Sequence, residues 1–376
     1  MKKLFVFAIA ATCVVAACNK NPLPTPEDET PVAVQFNTKT IDASVTRTKA
    51  AIDAWTGNED LYVYGFAVKR QGGTDNGAQI ALGSGRYDLN NPFINNVSAK
   101  SPSQGTELDV NNPDGLTGEP FYYDINTSVV YDFYGYYFGD ATLHKDEVIM
   151  ADDAITYPVT IDGTQDLLYA TTNKAVDVQK DDQSRVAEHQ AYGSWAARRG
   201  VQPTLNFQHA LSQFTFNVKK GVGSYGGTLT VEEIQIVGSN KGNLTVVGKN
   251  LGYVAANDDN QYDSFKLSSL NIVPGTNDYS PVDGVLMVAP NQASVTVKVT
   301  MGATLYSPNS GKIVYEFELP ANSIQGKTAF LAGESYKVNI IVYGPEEVKF
   351  EVDLAPWTQG GTINYDPDNN NNAPAA

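Results

Sequence analysis

Along most of this chain apolar and polar positions alternate over short stretches, the period-2 signature of half-buried β-strands. Val32, Val34 and Phe36 alternate with Ala33, Gln35 and Asn37, and the segment then turns polar and runs into Val45-Thr46-Arg47-Thr48-Lys49. A strand followed by an exposed basic site is expected there. Residues 61–68 are apolar throughout apart from Gly65. Val129-Val130-Tyr131-Asp132-Phe133-Tyr134-Gly135-Tyr136-Tyr137 is dense in aromatic and β-branched residues, and both stretches predict central strands. Between them, residues 71–112 are rich in Gly, Asn, Ser and Pro and predict a long loop. Residues 172–203 turn polar again, through Lys180-Asp181-Asp182-Gln183-Ser184-Arg185 and Arg198-Arg199-Gly200, which places a domain boundary near Gly200.

In the second half Val295, Val297, Val299 and Met301 keep strict alternation, as do Ile313, Tyr315, Phe317 and Leu319, bounded by Pro290 and Pro320. Tyr336, Val338, Ile340 and Val342 pair naturally with Val348, Phe350, Val352 and Leu354 across Gly344-Pro345-Glu346-Glu347, a hairpin near the C-terminus. Two apolar series change phase midway: Leu205, Phe207, His209 and Leu211 give way to Phe214, Phe216 and Val218, and Leu229 and Val231 to Ile234 and Ile236. A bulge or a switch between sheets produces such a slip, as expected in a sandwich.

The first residues read as an address. Met1-Lys2-Lys3 is basic, and residues 4–17 form an apolar run shorter than the roughly 20 residues of a membrane span. Residues 1–17 are therefore a signal peptide. Val15-Ala16-Ala17-Cys18 resembles the lipobox of bacterial lipoproteins, which makes Cys18 the acceptor of the lipid and the outer membrane its first attachment. Asn19, rather than Asp, is similar to lipoproteins passed to the outer membrane. Cys13 lies inside the leader, so the mature chain would hold no disulfide and no thiolate metal site or nucleophile. Residues 18–31, rich in Pro and acids, read as a solvated tether.

Length and composition set the scale. The 376 residues are 42% apolar, with 32 Gly and 19 Pro, enough for two cores but punctuated too often for long helices. An all-β chain of two sandwich domains follows, at 32–200 and 201–365, with 366–376 a disordered tail. A formal charge of −16 leaves no basic face for phosphates, which excludes nucleic acid as a partner.

Candidate chemistry is sparse. His144, His189 and His209 show no metal-ligand spacing, and no hydrolase or phosphate-binding motif occurs, so neither an enzyme nor a cofactor is expected. His209, on the apolar side of a strand, reads as a structural imidazole bonded to backbone, and His144 as loop. Asp152-Asp153, Asp181-Asp182, Glu232-Glu233 and Glu346-Glu347 read as solvated turns and edges, because adjacent strand residues face opposite ways and make poor acid/base pairs. Asn257-Asp258-Asp259-Asn260 and Asn277-Asp278 match no defined calcium loop. Of Trp55, Trp195 and Trp357, most would fill cores; Gly193-Ser194-Trp195 is the best exposed platform for a sugar.

The order of these features resembles the fimbrillins, pilins of type V pili: lipobox, tether, one alternating strand, Arg47, then two β-domains. Supporting stretches are Trp55 ahead of Leu61-Tyr62-Val63-Tyr64-Gly65-Phe66, Tyr131-Asp132-Phe133-Tyr134-Gly135-Tyr136-Tyr137, Asp166-Leu167-Leu168-Tyr169-Ala170, and Phe207-Gln208-His209-Ala210-Leu211-Ser212-Gln213-Phe214. Gly333-Glu334-Ser335-Tyr336-Lys337-Val338 and Leu354-Ala355-Pro356-Trp357 extend the likeness to the end of the chain. The resemblance implies two tandem transthyretin-like β-sandwiches. It also implies that a trypsin-like, Arg-specific surface protease cuts Arg47-Thr48 and releases the lipid together with the first strand.

Loss of Val32, Val34 and Phe36, side chains worth roughly 5 to 9 kcal/mol when reburied, would leave an apolar groove, and the resemblance implies that a strand from another pilin subunit fills it. Head-to-tail contacts that do not close grow a filament. The resemblance implies a donor in the C-terminal strand region, where two stretches stand open: the segment after Trp357 offers only Ile363 and Tyr365, whereas Val348, Phe350, Val352 and Leu354 alternate better but equally suit a place in their own core. Expected partners are thus pilin subunits, the protease, the membrane before cleavage, and a host glycan or protein receptor. The alternative is a lipoprotein that stays anchored and binds glycans without polymerising.

Overall fold

The computed structural model describes residues 30–39, 55–68, 70–71, 78–79, 82–83, 85–104, 107–126, 129–172, 192–198, 202–222, 228–256, 262–303, 312–344 and 347–355. Among them, strands form four principal sheets and a small ribbon, β3 (Arg70–Gln71) with β4 (Ala78–Gln79). The chain is all-β, as the alternation predicts.

Sheet I has seven strands in the order β5 (Ile94–Lys100), β2 (Asp60–Ala67), β7 (Tyr131–Tyr137), β11 (Leu168–Thr172), β12 (Thr204–His209), β1 (Phe36–Lys39) and β6 (Glu107–Leu108). Both of its faces are covered, which is why β2 and β7 read as nearly continuous apolar runs. Tyr64, Phe66, Tyr134 and Tyr136 point into one cluster, and Leu61, Val63, Tyr131 and Phe133 into another. The strand glycines serve this packing: Phe133 lies against Gly65 and Phe207 against Gly135, where a β-carbon would come within 3.0 Å and 3.1 Å of the rings.

Sheet II carries β16 (Gly252–Ala255), β15 (Lys241–Val247), β10 (Ala154–Thr160) and β8 (Thr142–Leu143), with β9 (Ile149–Ala151) also on β10. It packs on the first face of sheet I, where the Tyr64 and Tyr157 hydroxyls bond at 2.7 Å and the rings of Tyr136 and Tyr157 lie 5.6 Å apart. Sheet III is β18 (Ser280–Pro281), β13 (Ser212–Lys220), β22 (Ser335–Gly344) and β23 (Glu347–Ala355), with β19 (Leu286–Val288) on β13. Sheet IV is β17 (Tyr262–Ile272), β14 (Leu229–Ser239), β20 (Ser294–Ala303) and β21 (Ile313–Pro320). Phe214, Phe216, Val338 and Ile340 of sheet III and Ile234, Ile236, Val297 and Val299 of sheet IV are buried in one cluster, continuous with that between sheets I and II.

Both phase slips are present, each by a different device. The chain leaves sheet I after His209 and enters sheet III at Ser212, whereas β14 stays in sheet IV and shifts register between Val231 and Glu233. Sheet membership does not follow the polar stretch near Gly200: β12 belongs to sheet I, and the hairpin of β15 and β16 returns to sheet II beside β10. A division at Gly200 would part these strands from the ones they pair with. The expected long loop at 71–112 is corrected as well. It contains β5, an edge strand paired with β2 that has only Ile94 and Ala99 buried, so its polar sequence conceals pairing made by the backbone.

Candidate functional site

β1 is inserted between strands far from it in sequence. It runs parallel to β12, with Asn37 opposite Thr204 and Thr38 opposite Leu205, and antiparallel to β6, with Phe36 opposite Leu108. The Asn37 N–H donates to the Pro203 carbonyl at 2.9 Å. Upstream, the Val34 N–H donates to the Phe121 carbonyl at 2.7 Å and the Tyr123 N–H to the Val32 carbonyl at 2.9 Å. Side chains add ties: Asn37 Nδ2 donates to Gln202 Oε1 at 3.0 Å, Gln202 Nε2 to Gln35 Oε1, and Arg198 Nη2 to the Thr30 carbonyl at 2.8 Å.

The inward side chains meet an apolar floor. Val34 and Phe36 are 4% and 1% exposed, Thr38 is buried and Val32 half-buried. Phe36 stands edge-on to Phe133, with ring centroids 5.0 Å apart at 88°. Leu108, Val110, Phe121, Leu205 and Phe207 complete the cluster, and Trp55 packs edge-on to Phe207 at 5.1 Å. Two full burials and one partial burial stabilise this strand by roughly 4 to 7 kcal/mol. Without residues 30–39 the same floor would be an apolar groove between the unpaired edges of β12 and β6, the arrangement that a strand from elsewhere can complete.

The groove is also polar in places. Trp55 Nε1, Tyr123 Oη and two guanidinium nitrogens of Arg198, Nε and Nη1, are buried without a hydrogen-bond partner. Burial first, then the neighbouring Tyr192 and Tyr131, push the Tyr123 phenol well above the ordinary tyrosine range.

Of the residues singled out from the sequence, Val32, Val34 and Phe36 come together here. Val348, Phe350, Val352 and Leu354 lie in β23, opposite Val342, Ile340, Val338 and Tyr336 of β22. Among the described residues β23 has this one neighbour. Cys18, Arg47, Thr48 and Trp357 lie outside the described residues. Trp55, 8% exposed, fills a core as expected, whereas the sugar platform is corrected in part: Gly193 and Ser194 are buried, Gly193 against the Val129 carbonyl.

Asp153 is no solvated turn. It is 3% exposed and accepts backbone N–H groups of Gly83, Arg86 and Tyr87 at 2.9, 2.7 and 3.1 Å. His209 Nδ1 faces the Asp166 carboxylate at 2.9 Å, a side chain where the sequence suggested backbone. Among the described residues no group of three His, Cys, Asp or Glu could hold a metal ion, and no helix is long and apolar enough to cross a membrane. Sequence reasoning missed Phe121, Tyr123, Gln202 and Arg198 as walls of the groove. They stand on loops or at strand ends where no periodicity marks them.

Residues 46–357 match the model of the family described as fimbrillin-like. No curated protein matches the chain. Among solved structures, a fimbrial protein from Bacteroides vulgatus is similar at 12% identity and a TM-score of 0.48, covering 87% of this chain and 100% of its own. The tip fimbrial protein Mfa3 from Porphyromonas gingivalis, with a C-terminal truncation, is similar at 11% identity and a TM-score of 0.37, covering 87% of this chain and 99% of its own.

Proposed function

The chain belongs to the fimbrillin-like family of structural, non-enzymatic fimbrial subunits of the cell surface, and on that premise we propose that it is made as a lipoprotein precursor and polymerises by donor-strand exchange. Residues 1–17 direct export, and Cys18 takes the lipid that holds the precursor at the outer membrane. A trypsin-like surface protease cuts Arg47-Thr48, after which residues 30–39 are held by non-covalent contacts alone. A strand of a neighbouring pilin subunit then replaces them. Backbone pairing with β12 and β6 supplies strength, and the alternate pockets of Val32, Val34 and Phe36 set the register. The contact is head-to-tail and open, so it propagates as a fimbria that supports adhesion.

The observation that carries this reading is the placement of residues 30–39 as an inserted strand whose pairing partners, Phe121 to Tyr123 on one side and Pro203 to Asn206 on the other, all lie beyond Arg47 in the chain. A cut at Arg47 leaves every one of those partners in the body. Val348, Phe350, Val352 and Leu354 of β23 are the proposed donor, with Trp357 behind them.

The test is treatment of the signal-free precursor with a trypsin-like protease, reading the new N-terminus by mass spectrometry and the assembly on a gel run without boiling. A chain starting at Thr48 that forms a ladder is the expected result. Arg47→Ala should stay unprocessed and monomeric; filaments formed by that variant at the normal rate would refute the mechanism.

A further inference from the structure

The occupant of the groove is well matched to its apolar floor and poorly matched to its cation. Arg198 is half-buried, with Nε and Nη1 shielded from water and unpartnered. Its one acceptor is the neutral carbonyl of Thr30, and no ion pair joins it to a carboxylate among the described residues. A carboxylate is a substantially stronger acceptor for a guanidinium than a peptide carbonyl, because both partners are charged and two parallel bonds can form. Shielded donors without acceptors destabilise whatever state leaves them so.

An occupant bearing an acid where Thr30 now lies, followed by the same apolar series, would therefore fit better than the resident strand. Thr30 precedes Val32, Val34 and Phe36 with one residue between successive members. Glu346 precedes Val348, Phe350 and Val352 with the same spacing. Resting on the strand-exchange reading above, we propose that Arg198 selects the incoming strand by pairing with a carboxylate at the Thr30 position, and that Glu346 of a second copy of this chain supplies it. The resident strand is then a placeholder that leaves the charged end of the groove without an acid, which gives the exchange a direction. The pair also sets register, since sliding the donor by two residues keeps its apolar face inward but carries the acid away from the guanidinium.

The test uses protein nicked after Arg47 and a synthetic peptide of residues 345–356. Release of the first segment is followed by mass spectrometry. The native peptide should displace it at about one tenth the concentration that a Glu346→Gln peptide requires, and the advantage should vanish on Arg198→Gln protein. Equal potency of the two peptides on unsubstituted protein overturns the proposal.

In the uncut chain, Thr30→Glu puts the acid on the resident strand and needs no exchange. Amide hydrogen exchange at Val34 and Asn37 should slow about tenfold, and not at all when Arg198→Gln is added. No slowing overturns the preference of Arg198 for an acid. Slowing with no displacement by either peptide overturns the exchange reading and, with it, the assignment of Glu346.

Discussion

Phe36→Ala in the uncut chain isolates the hold of the first strand on the body. Phe36 is 1% exposed and lies edge-on to Phe133 at 5.0 Å, so truncation removes most of a phenyl ring's burial together with an aromatic pair. The gap cannot close easily, because β1 is pinned by backbone pairing to β12 on one side and β6 on the other. Truncation of a buried Phe costs roughly 3 to 5 kcal/mol, set against a total stability of about 5 to 15 kcal/mol for a typical folded domain. Urea denaturation of the signal-free protein should show that loss as a lower midpoint. Amide exchange should localise it: protection falls at Leu108 and Leu205, which line the strand, and holds at Val338 in sheet III. Val222→Ser, at a residue 91% exposed, is the control and should stay within about 0.5 kcal/mol of the parent. A Phe36→Ala protein with the midpoint and exchange pattern of that control would show that the strand is not seated as described.

Three further outcomes follow from the packing. Gly163→Ala should lower the thermal midpoint, by roughly 2 to 4 kcal/mol at the transition, because Gly163 sits at φ +89° and an added β-carbon would stand only 2.5 Å from Phe265; an unchanged midpoint refutes that contact. Asp153→Ala leaves three backbone N–H groups of residues 83–87 without their acceptor and should cost about 2 to 4 kcal/mol, read as a lower urea midpoint and faster exchange at Tyr87. Alkaline pH should destabilise the protein: burial pushes Tyr134 up to about 12, and burial also raises Tyr64, Tyr87 and Tyr136, whereas an unfolded phenol titrates near 10. The folded state keeps its protons longer, so this contribution is complete below about pH 10 and is lost as pH climbs toward 12 and beyond. A urea midpoint that stays flat from pH 9 to pH 11.5 contradicts it.

Alternation within each strand was enough to determine that the chain is all-β and that β22 and β23 form a hairpin, observed with Val342 opposite Val348 and Tyr336 opposite Leu354, while near-continuous apolar runs marked β2 and β7 as central. It also located both phase slips and marked Val34 and Phe36 as inward-facing. These are local properties, because the pleat alone sends successive side chains to opposite faces. Only the tertiary structure decided which strands meet. The parallel pairing of β1 with β12 joins residues more than 160 positions apart, and the return of β15 and β16 to β10 crosses the polar stretch that composition marks as a boundary. β5 escaped notice because an edge strand held by backbone bonds needs few apolar side chains. Arg198 escaped it because its importance lies in a single carbonyl, that of Thr30, brought to it by chain closure over the whole first sheet. A side chain's period is written in its neighbours along the chain, whereas its partner is chosen by face matching between distant segments, and that choice exists only once the sheets have formed.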